Sequence, residues 1–319
     1  MQRYTVAVSQ TGVRLERFVK ELFPGHSRRD VQVWIRDGKV LCNGRPGKKG
    51  TILAPGDCVE FASLLPETPG AVLQPDPEVH FEILYRDSFL IALDKPAGIS
   101  THPLRPGEMG TLANGLLAHC PEVQGIGYSD REPGLLHRLD RGTSGVVLAA
   151  LKEAAFENLR LQFEQERVIK VYAAVVVGVP PARGLIDFPI GSAGRRSSRL
   201  VTEVPGKSQR RLRHIQPAQT RCRLVRSAGR YSLVRLLMTS GVRHQLRVHL
   251  AGIGHPVVGD SLYAGPVGRD SDSTGMLAGR HLLHASAIVF YHPADGRRLR
   301  ILSPLPEDFR TFARTHSLL

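Results

Sequence analysis

After its first sixty residues the chain enters a stretch that neither a helix nor a central strand can cross. From Ala62 to His80 it reads ASLLPETPGAVLQPDPEVH, with Pro66, Pro69, Pro75 and Pro77. Each proline fixes φ and lacks a backbone N–H, so such a run makes a stiff spacer and not part of a core. The full 319 residues are also about twice a usual domain length. The sequence therefore predicts two domains, over 12–62 and 81–305, joined by a linker over 63–80.

The first domain reads as two helices and a hairpin. Leu15, Phe18, Val19 and Leu22 lie at i, i+3, i+4 and i+7, the stripe of an amphipathic helix. Ser27 fits an N-cap for a second helix carrying Asp30, Val31, Trp34 and Ile35 and ending at Gly38. Lys39–Cys42, the turn pair Asn43-Gly44, a strand beginning near Thr51 and Cys58–Phe61 complete it. In the second domain Phe81–Tyr85, Phe89–Leu93, Val146–Ala150, Tyr172–Val177 and Tyr231–Met238 read as strands, and Glu153–Glu166 as a helix. Strands outnumber helices without alternating with them, which favours an α+β mixed sheet over a doubly wound one.

Charge narrows the partners. Forty-three Lys and Arg against 29 Asp and Glu leave +14, an excess that attracts polyanions, nucleic acid foremost. Ala193–Arg235 holds twelve basic residues, including Arg195, Arg196, Arg199, Arg221, Arg223 and Arg235, against the single acid Glu203. Eleven of the twelve are Arg, which suits bidentate phosphate contacts; a solvated loop or exposed strand without a partner is the plainer alternative. Cys42, Cys58, Cys120 and Cys222 form no CxxC pair and read as reduced thiols. The longest apolar stretch, Val171–Pro181, is cut by Gly178 and falls well short of the roughly 20 residues that span a bilayer. With no apolar core in MQRYTVAVSQTG, a cytoplasmic protein without membrane contact is expected.

The segment most loaded with chemistry is His137-Arg138-Leu139-Asp140-Arg141-Gly142-Thr143-Ser144-Gly145. Neighbouring arginines favour an ionised carboxylate. Read on residue types alone, such an Asp can be a nucleophile, a base, a metal ligand or, most often, one half of a structural ion pair.

The arrangement resembles known families at both ends. Val13–Phe18, Ser27-Arg28, Ile35–Val40, Asn43-Gly44 and Pro55-Gly56-Asp57 look like the small RNA-binding domain first described in ribosomal protein S-four. That domain sets its second helix against structured RNA, which would give Arg28, Arg29 and Arg36 phosphate contacts. HRLDRGTSG resembles the central motif of the RluA family of RNA pseudouridine synthases. Lys95-Pro96-Ala97-Gly98 with His102-Pro103, Lys170–Val175, His244–Leu250, Gly254–Asp260 with Leu262-Tyr263, and His284-Ala285 match that family's further motifs in order.

This resemblance implies a small N-terminal α/β RNA-binding domain plus a catalytic domain on a mixed, mostly antiparallel sheet flanked by helices and loops. It implies that Asp140 acts on a target uridine, that Tyr172 packs on the base and removes the C5 proton, and that Arg247 pairs with Asp140. His137, Arg138, Arg141, Thr143, Lys170 and His244 would line the RNA site, with Arg138 or Arg141 filling the gap left by a flipped base. No atoms are gained or lost in such an isomerisation, so no cofactor is expected. The implied partner is RNA, ribosomal RNA of the large subunit or a pre-ribosomal particle, with a tRNA second, and the implied state is a monomer.

Some residues depart from the pattern. Val242 and Arg243 stand where the family has Arg and Thr, and a basic insertion containing Arg210, Arg211 and Arg213 separates Gly206-Lys207 from Ala218–Thr220. His244, His249 and His255 are spaced 5 and 6 apart, which fits no metal motif, so no metal is expected. Asp260 and Tyr263 read as structural. A non-catalytic ribosome-assembly protein on the same fold is the competing reading.

Overall fold

The computed structural model describes residues 2–23, 28–61, 73–192, 200–202, 213–264 and 279–319. Two compact units result, one built on Met1–Gln74 and the other on Pro75–His102, Met109–Tyr128 and Glu132–Leu319.

The first unit contains β1 (Gln2–Thr5), α1 (Leu15–Leu22), α2 (Arg28–Arg36), β2 (Val40–Cys42), β3 (Arg45–Pro46) and β4 (Cys58–Phe61). Its antiparallel sheet runs β1-β4-β2-β3. The apolar stripes of the two helices close on it, with Leu15, Phe18, Val31, Trp34 and Ile35 buried against Val40, Val59 and Phe61. Asn43 and Gly44 take φ of 53° and 73°, the left-handed pair that a tight hairpin turn requires. Two expectations change here. No strand begins near Thr51, because Ile52 makes only an isolated bridge to Arg14 while Leu53 turns into the core. The sheet is completed instead by β1, which pairs with β4 from Gln2↔Phe61 to Thr5↔Cys58. Ser27, the expected N-cap, lies outside the described residues.

The second unit contains β5 (Glu82–Arg86), β6 (Leu90–Lys95), α3 (Leu112–His119), β7 (Ser144–Ala150), α4 (Glu153–Glu164) and β8 (Ile169–Val177). It continues through β9 (Arg183–Asp187), β10 (Ile190–Ser192), β11 (Leu200–Thr202), β12 (Arg213–Gln216), β13 (Gln219–Ala228) and β14 (Tyr231–Met238). The last elements are α5 (Gln245–Gly252), β15 (Leu283–Tyr291), β16 (Arg298–Leu302) and α6 (Glu307–Thr315). The main sheet runs β5-β6-β7-β15-β8-β14-β13-β9, with β16 also on β15, and among the described residues only the β7–β15 pairing is parallel. An α+β fold with a mixed, mostly antiparallel sheet is therefore what the chain adopts.

Directly paired residues face the same way, so Cys222, Leu236 and Tyr172 share one face of this sheet. That face carries α5, whose His249 Nδ1 meets Thr220 Oγ1 at 2.9 Å. On the opposite face Phe309 and Phe312 of α6 pack against Val175, Val177, Tyr231 and Leu233. The folded unit thus extends beyond residue 305. It also begins before 81, since the Asp76 amide donates to the Asn114 carbonyl at 3.0 Å and Val79 is buried beside Gly115. Of the expected linker, residues 63–72 lie outside the described residues, as does 193–199 with Arg195, Arg196 and Arg199. Among the described residues no helix is long and apolar enough to cross a membrane.

Candidate active site

The Asp140 loop is held in shape by backbone-directed bonds from a second loop. Thr101 Oγ1 donates to the Leu139 carbonyl at 2.8 Å and accepts from the Leu139 amide at 3.0 Å. The Gly98 amide donates to the Arg141 carbonyl at 2.8 Å, and Arg141 Nε returns a bond to the Gly98 carbonyl at 2.6 Å. Beneath them Lys95, fully buried, spends its ammonium on the carbonyls of Pro96 and Ile99 at 2.8 and 2.9 Å. Burial lowers its pKa to about 7, and the nearby Arg280 pushes the same way. On the C-terminal side Thr143 Oγ1 meets His281 Nε2 at 2.8 Å and Arg280 Nη1 donates to the Gly142 carbonyl at 2.9 Å. Gly145 then enters β7 at φ 115°, with any Cβ only 2.2 Å from the Ala285 carbonyl oxygen. No other residue type fits there.

This loop delivers Asp140 to a pocket of about 470 Å³ that Tyr172, Lys170, His137, His244 and Arg247 also line. Arg247 reaches in from α5 and donates through Nη1 to Asp140 Oδ2 at 2.9 Å. Its other edge is taken by Asp260, with Nε to Oδ2 at 2.7 Å and Nη2 to Oδ1 at 2.8 Å. Asp260 is fully buried and also accepts the Leu262 and Tyr263 amides at 3.0 and 3.1 Å. Burial opposes its charge, yet the Arg247 bonds and those amides together hold its pKa below the usual carboxylate range. For Arg247 burial likewise works against the cation, and the two carboxylates outweigh it and push its pKa up.

The remaining groups are shaped by burial. Tyr172 has its pKa pushed up by burial and further by the Asp140 charge, so its phenol holds its proton. Lys170 is lowered to about 8 by burial, with its ammonium 5.5 Å from the Phe163 ring centre. His137 is lowered to about 3, by burial and then by Lys170, and its Nε2 accepts the Leu148 amide at 3.1 Å. That bond places the ring proton on Nδ1. His244 Nδ1 meets the Tyr263 hydroxyl at 2.8 Å, while its Nε2 stands 3.8 Å from Asp140 Oδ1.

Residues 89–252 match the family model described as RNA pseudouridylate synthase, and residues 13–59 match that of the S4 domain. The chain belongs to the RNA pseudouridylate synthase family. It is 34% identical over 309 residues to the ribosomal large subunit pseudouridine synthase D of Pseudomonas aeruginosa, covering 93% of this chain and 90% of that one. An uncharacterised RNA pseudouridine synthase of Bacillus subtilis is also 34% identical, over 95% of this chain and 94% of its own. The solved human RNA pseudouridylate synthase domain containing 4 superposes with a TM-score of 0.59 at 27% identity, over 74% of this chain and 92% of that one.

In this pseudouridine synthase the expected site residues separate into groups. Asp140, Tyr172, Arg247, His137, Thr143, Lys170, His244 and Arg138 all line the pocket. Arg138 is exposed at its rim, its Nη1 3.3 Å from His102 Nε2, and Arg141 is exposed while tied to Gly98. Arg36 is on the first unit, paired with Asp37 at 2.9 Å, and α2 begins at Arg28, with Arg29 next. His249 and His255 are spent elsewhere, on Thr220 with the Phe188 carbonyl and on the Val177 carbonyl. At the departure from the family pattern, the Val242 amide donates to Gln245 Oε1 at 3.2 Å.

Sequence reasoning read Asp260 as structural without naming Arg247 as what it braces, and gave no role to His281, which braces Thr143. Asp260 ends the Gly254–Asp260 motif, so its place in that motif was the available signal. Lys95 stood inside another motif without a role, and its depth below the loop supplies one.

Proposed function

We propose that this synthase converts a uridine of large-subunit ribosomal RNA to pseudouridine with Asp140 as the attacking carboxylate, Arg247 as its positioning partner and Tyr172 as the proton acceptor. The observation that carries this is the 2.9 Å bond from Arg247 Nη1 to Asp140 Oδ2 within a pocket that Tyr172 shares. Large-subunit ribosomal RNA as substrate is supported by the name of the Pseudomonas aeruginosa relative and by the S4 match at residues 13–59. In this reading the S4-matching residues 13–59 hold the RNA and the second unit, which begins at Pro75 and runs to Leu319, carries the chemistry, as a monomer in the cytoplasm where ribosomal RNA is made.

The bond changes are few. The C1′–N1 bond breaks, the uracil turns in place, C1′ bonds to C5, the C5 proton leaves and N1 gains a proton. Attack at C1′, addition at C6 and formation of a glycal all move negative charge off Asp140 before the new bond forms. Tyr172 is raised by burial first and by that charge second, so discharging Asp140 removes one of the two forces that hold its proton. In this reading Asp140 acts first; the Tyr172 phenol then releases its proton, which N1 takes up, and the resulting phenolate accepts the C5 proton, leaving Tyr172 neutral again. In this reading Arg138 or Arg141, on the loop bearing Asp140, fills the gap that the flipped base leaves.

Asp140→Asn tests the reading. The substitution keeps shape and removes charge, and is expected to abolish pseudouridine formation in a ribosomal RNA transcript while leaving RNA binding intact. Persistent isomerisation removes Asp140 from the mechanism. A wild-type protein that binds pre-ribosomal particles and isomerises no RNA would make it an assembly factor on this fold. Mapping pseudouridine in ribosomal RNA from cells lacking the protein identifies the position.

A further inference from the structure

The face of the main sheet turned away from the pocket carries a row of arginines that the chemistry above does not use. Register pairs Arg183 of β9 with Arg223 of β13, and Arg223 with Arg235 of β14, so three guanidinium groups stand side by side across three strands. Arg221 lies two residues along β13 on the same face, opposite Leu185 and Leu237. Tyr172 pairs with Leu236, and Arg235 with Ala173, which puts the row on the opposite side of the sheet from the pocket. All four arginines are exposed, as is Leu185 beside them at 55%. Helix α6 covers this face only farther along, over Val175, Val177, Tyr231 and Leu233.

Like charges placed directly opposite across strands destabilise a sheet. Among the described residues none of the four has a carboxylate partner, and Asp187, the acid at this end of the face, is engaged by Gln219 Nε2 at 3.1 Å. A ladder of like charge at a sheet edge, built from Arg and carrying no counter-ion of its own, is complementary to a polyanion whose charges repeat. Guanidinium forks bond phosphate bidentately, and neighbouring strands set them about 4.8 Å apart.

We propose that this ladder is a second RNA-contact surface, gripping backbone phosphates of the substrate RNA at a place remote from the uridine being modified. The inference rests on RNA being the substrate, and extends the contact surface beyond the pocket and the S4-matching residues. It gives the enzyme a way to sense a folded RNA that wraps around it, since a short strand in the pocket cannot reach the back of the sheet.

The test compares the full-length protein with its R183Q/R221Q/R223Q/R235Q variant, using a large-subunit ribosomal RNA transcript as probe. Each arginine–phosphate pair removed lowers the slope of log affinity against log salt by about 0.7–0.9, so the slope should fall by about 3, with affinity at ~100 mM salt falling at least roughly tenfold. The changes relieve repulsion at exposed positions, so the melting temperature should hold or rise. Should the fourfold variant misfold, R223Q/R235Q is read in the same way, with a slope change of about 1.5. Turnover at saturating RNA should equal wild type. An unchanged slope overturns the proposal. So does a variant that binds the transcript normally but loses binding to poly-glutamate, which would assign the face to an acidic protein. Binding is read without turnover, so an absence of pseudouridine would sink the catalytic reading and leave this measurement standing.

Discussion

Replacing Asp260 with Asn isolates the support of the proposed catalytic pair, because Asp260 is fully buried and cannot touch RNA. Its Oδ1 accepts three donors, from Arg247 Nη2, Leu262 and Tyr263, whereas Oδ2 accepts Arg247 Nε alone. The amide oxygen of Asn will keep the three-donor position and leave its NH₂ facing Nε, 2.7 Å away in the parent protein. One charge-assisted bond then disappears, worth about 1.5–3 kcal/mol. Removing one partner of a buried ion pair costs about 3–5 kcal/mol when the other charge is stranded. Here Asp140 stays within 2.9 Å to balance the guanidinium, so the lower end applies, about 3 kcal/mol. For a unit of this size that is a fall in Tm of about 6–12 °C. Freed on one edge, Arg247 no longer fixes Asp140, and an error of about 1 Å there costs on the order of 10² in kcat. The assay is release of tritium from RNA labelled at C5 of uridine, because that hydrogen leaves in the isomerisation. The expected pattern is kcat reduced on the order of 100-fold with KM unchanged. A variant with parental Tm, or with parental kcat, would refute the claim that Asp260 holds Arg247 for Asp140.

Three further outcomes are expected. Tyr172→Phe should lower kcat by about 10²–10⁴ with RNA affinity preserved, seen as tritium release against filter binding; parental release would exclude Tyr172 as the acceptor. Burial lowers the pKa of His137 to about 3 and of His281 and His284 to about 4, all below the unfolded value of about 6.5. The unfolded chain therefore binds more protons below pH ~6.5, and stability should fall from there toward pH ~4 by up to about 4 kcal/mol per pH unit for the three together, measured by urea unfolding; a flat profile would contradict their neutral burial. Lys170, lowered to about 8 by burial, acts with the same sign at alkaline pH: it should add about 3 kcal/mol of stability between pH ~8 and ~10.5, on top of the rise from Lys95, lowered to about 7, and Lys170→Met should remove about 3 kcal/mol of the total rise and leave the Lys95 share.

How much of this was legible in the sequence depended on whether the signal was local. The stripes of α1 and α2 and the Asn43-Gly44 turn are short-range patterns, and each formed close to where it was expected. Helix α3 was missed because it is buried almost all round, Leu112 to Leu117 without a break, and so has no polar face to reveal a period. Helix α6 had such a face, with Phe309, Phe312 and Ala313 buried, yet lay beyond the expected boundary at 305. Strand β1 is four residues long and gains its place by pairing with β4, more than fifty residues away. In the site, motif resemblance pointed to Asp140, Tyr172 and Arg247. Nothing in residue spacing announced that Asp260 would occupy two of the Arg247 nitrogens.

That division of the guanidinium bears directly on what Asp140 can do. An arginine left to itself tends to grip a carboxylate with two parallel bonds, engaging both oxygens and damping their nucleophilicity. Asp260 takes Nε and Nη2, so only Nη1 is offered to Asp140, and it goes to Oδ2. The other oxygen, Oδ1, has His244 Nε2 at 3.8 Å, beyond hydrogen-bond range, and burial keeps His244 toward its neutral form. Asp140 is thus anchored by one oxygen and open at the other. In the proposed reaction, where Asp140 attacks or accepts a proton at the ribose–base junction, the fixed oxygen would set the angle and the free one would supply the electron pair. A buried second carboxylate is what keeps those two tasks apart.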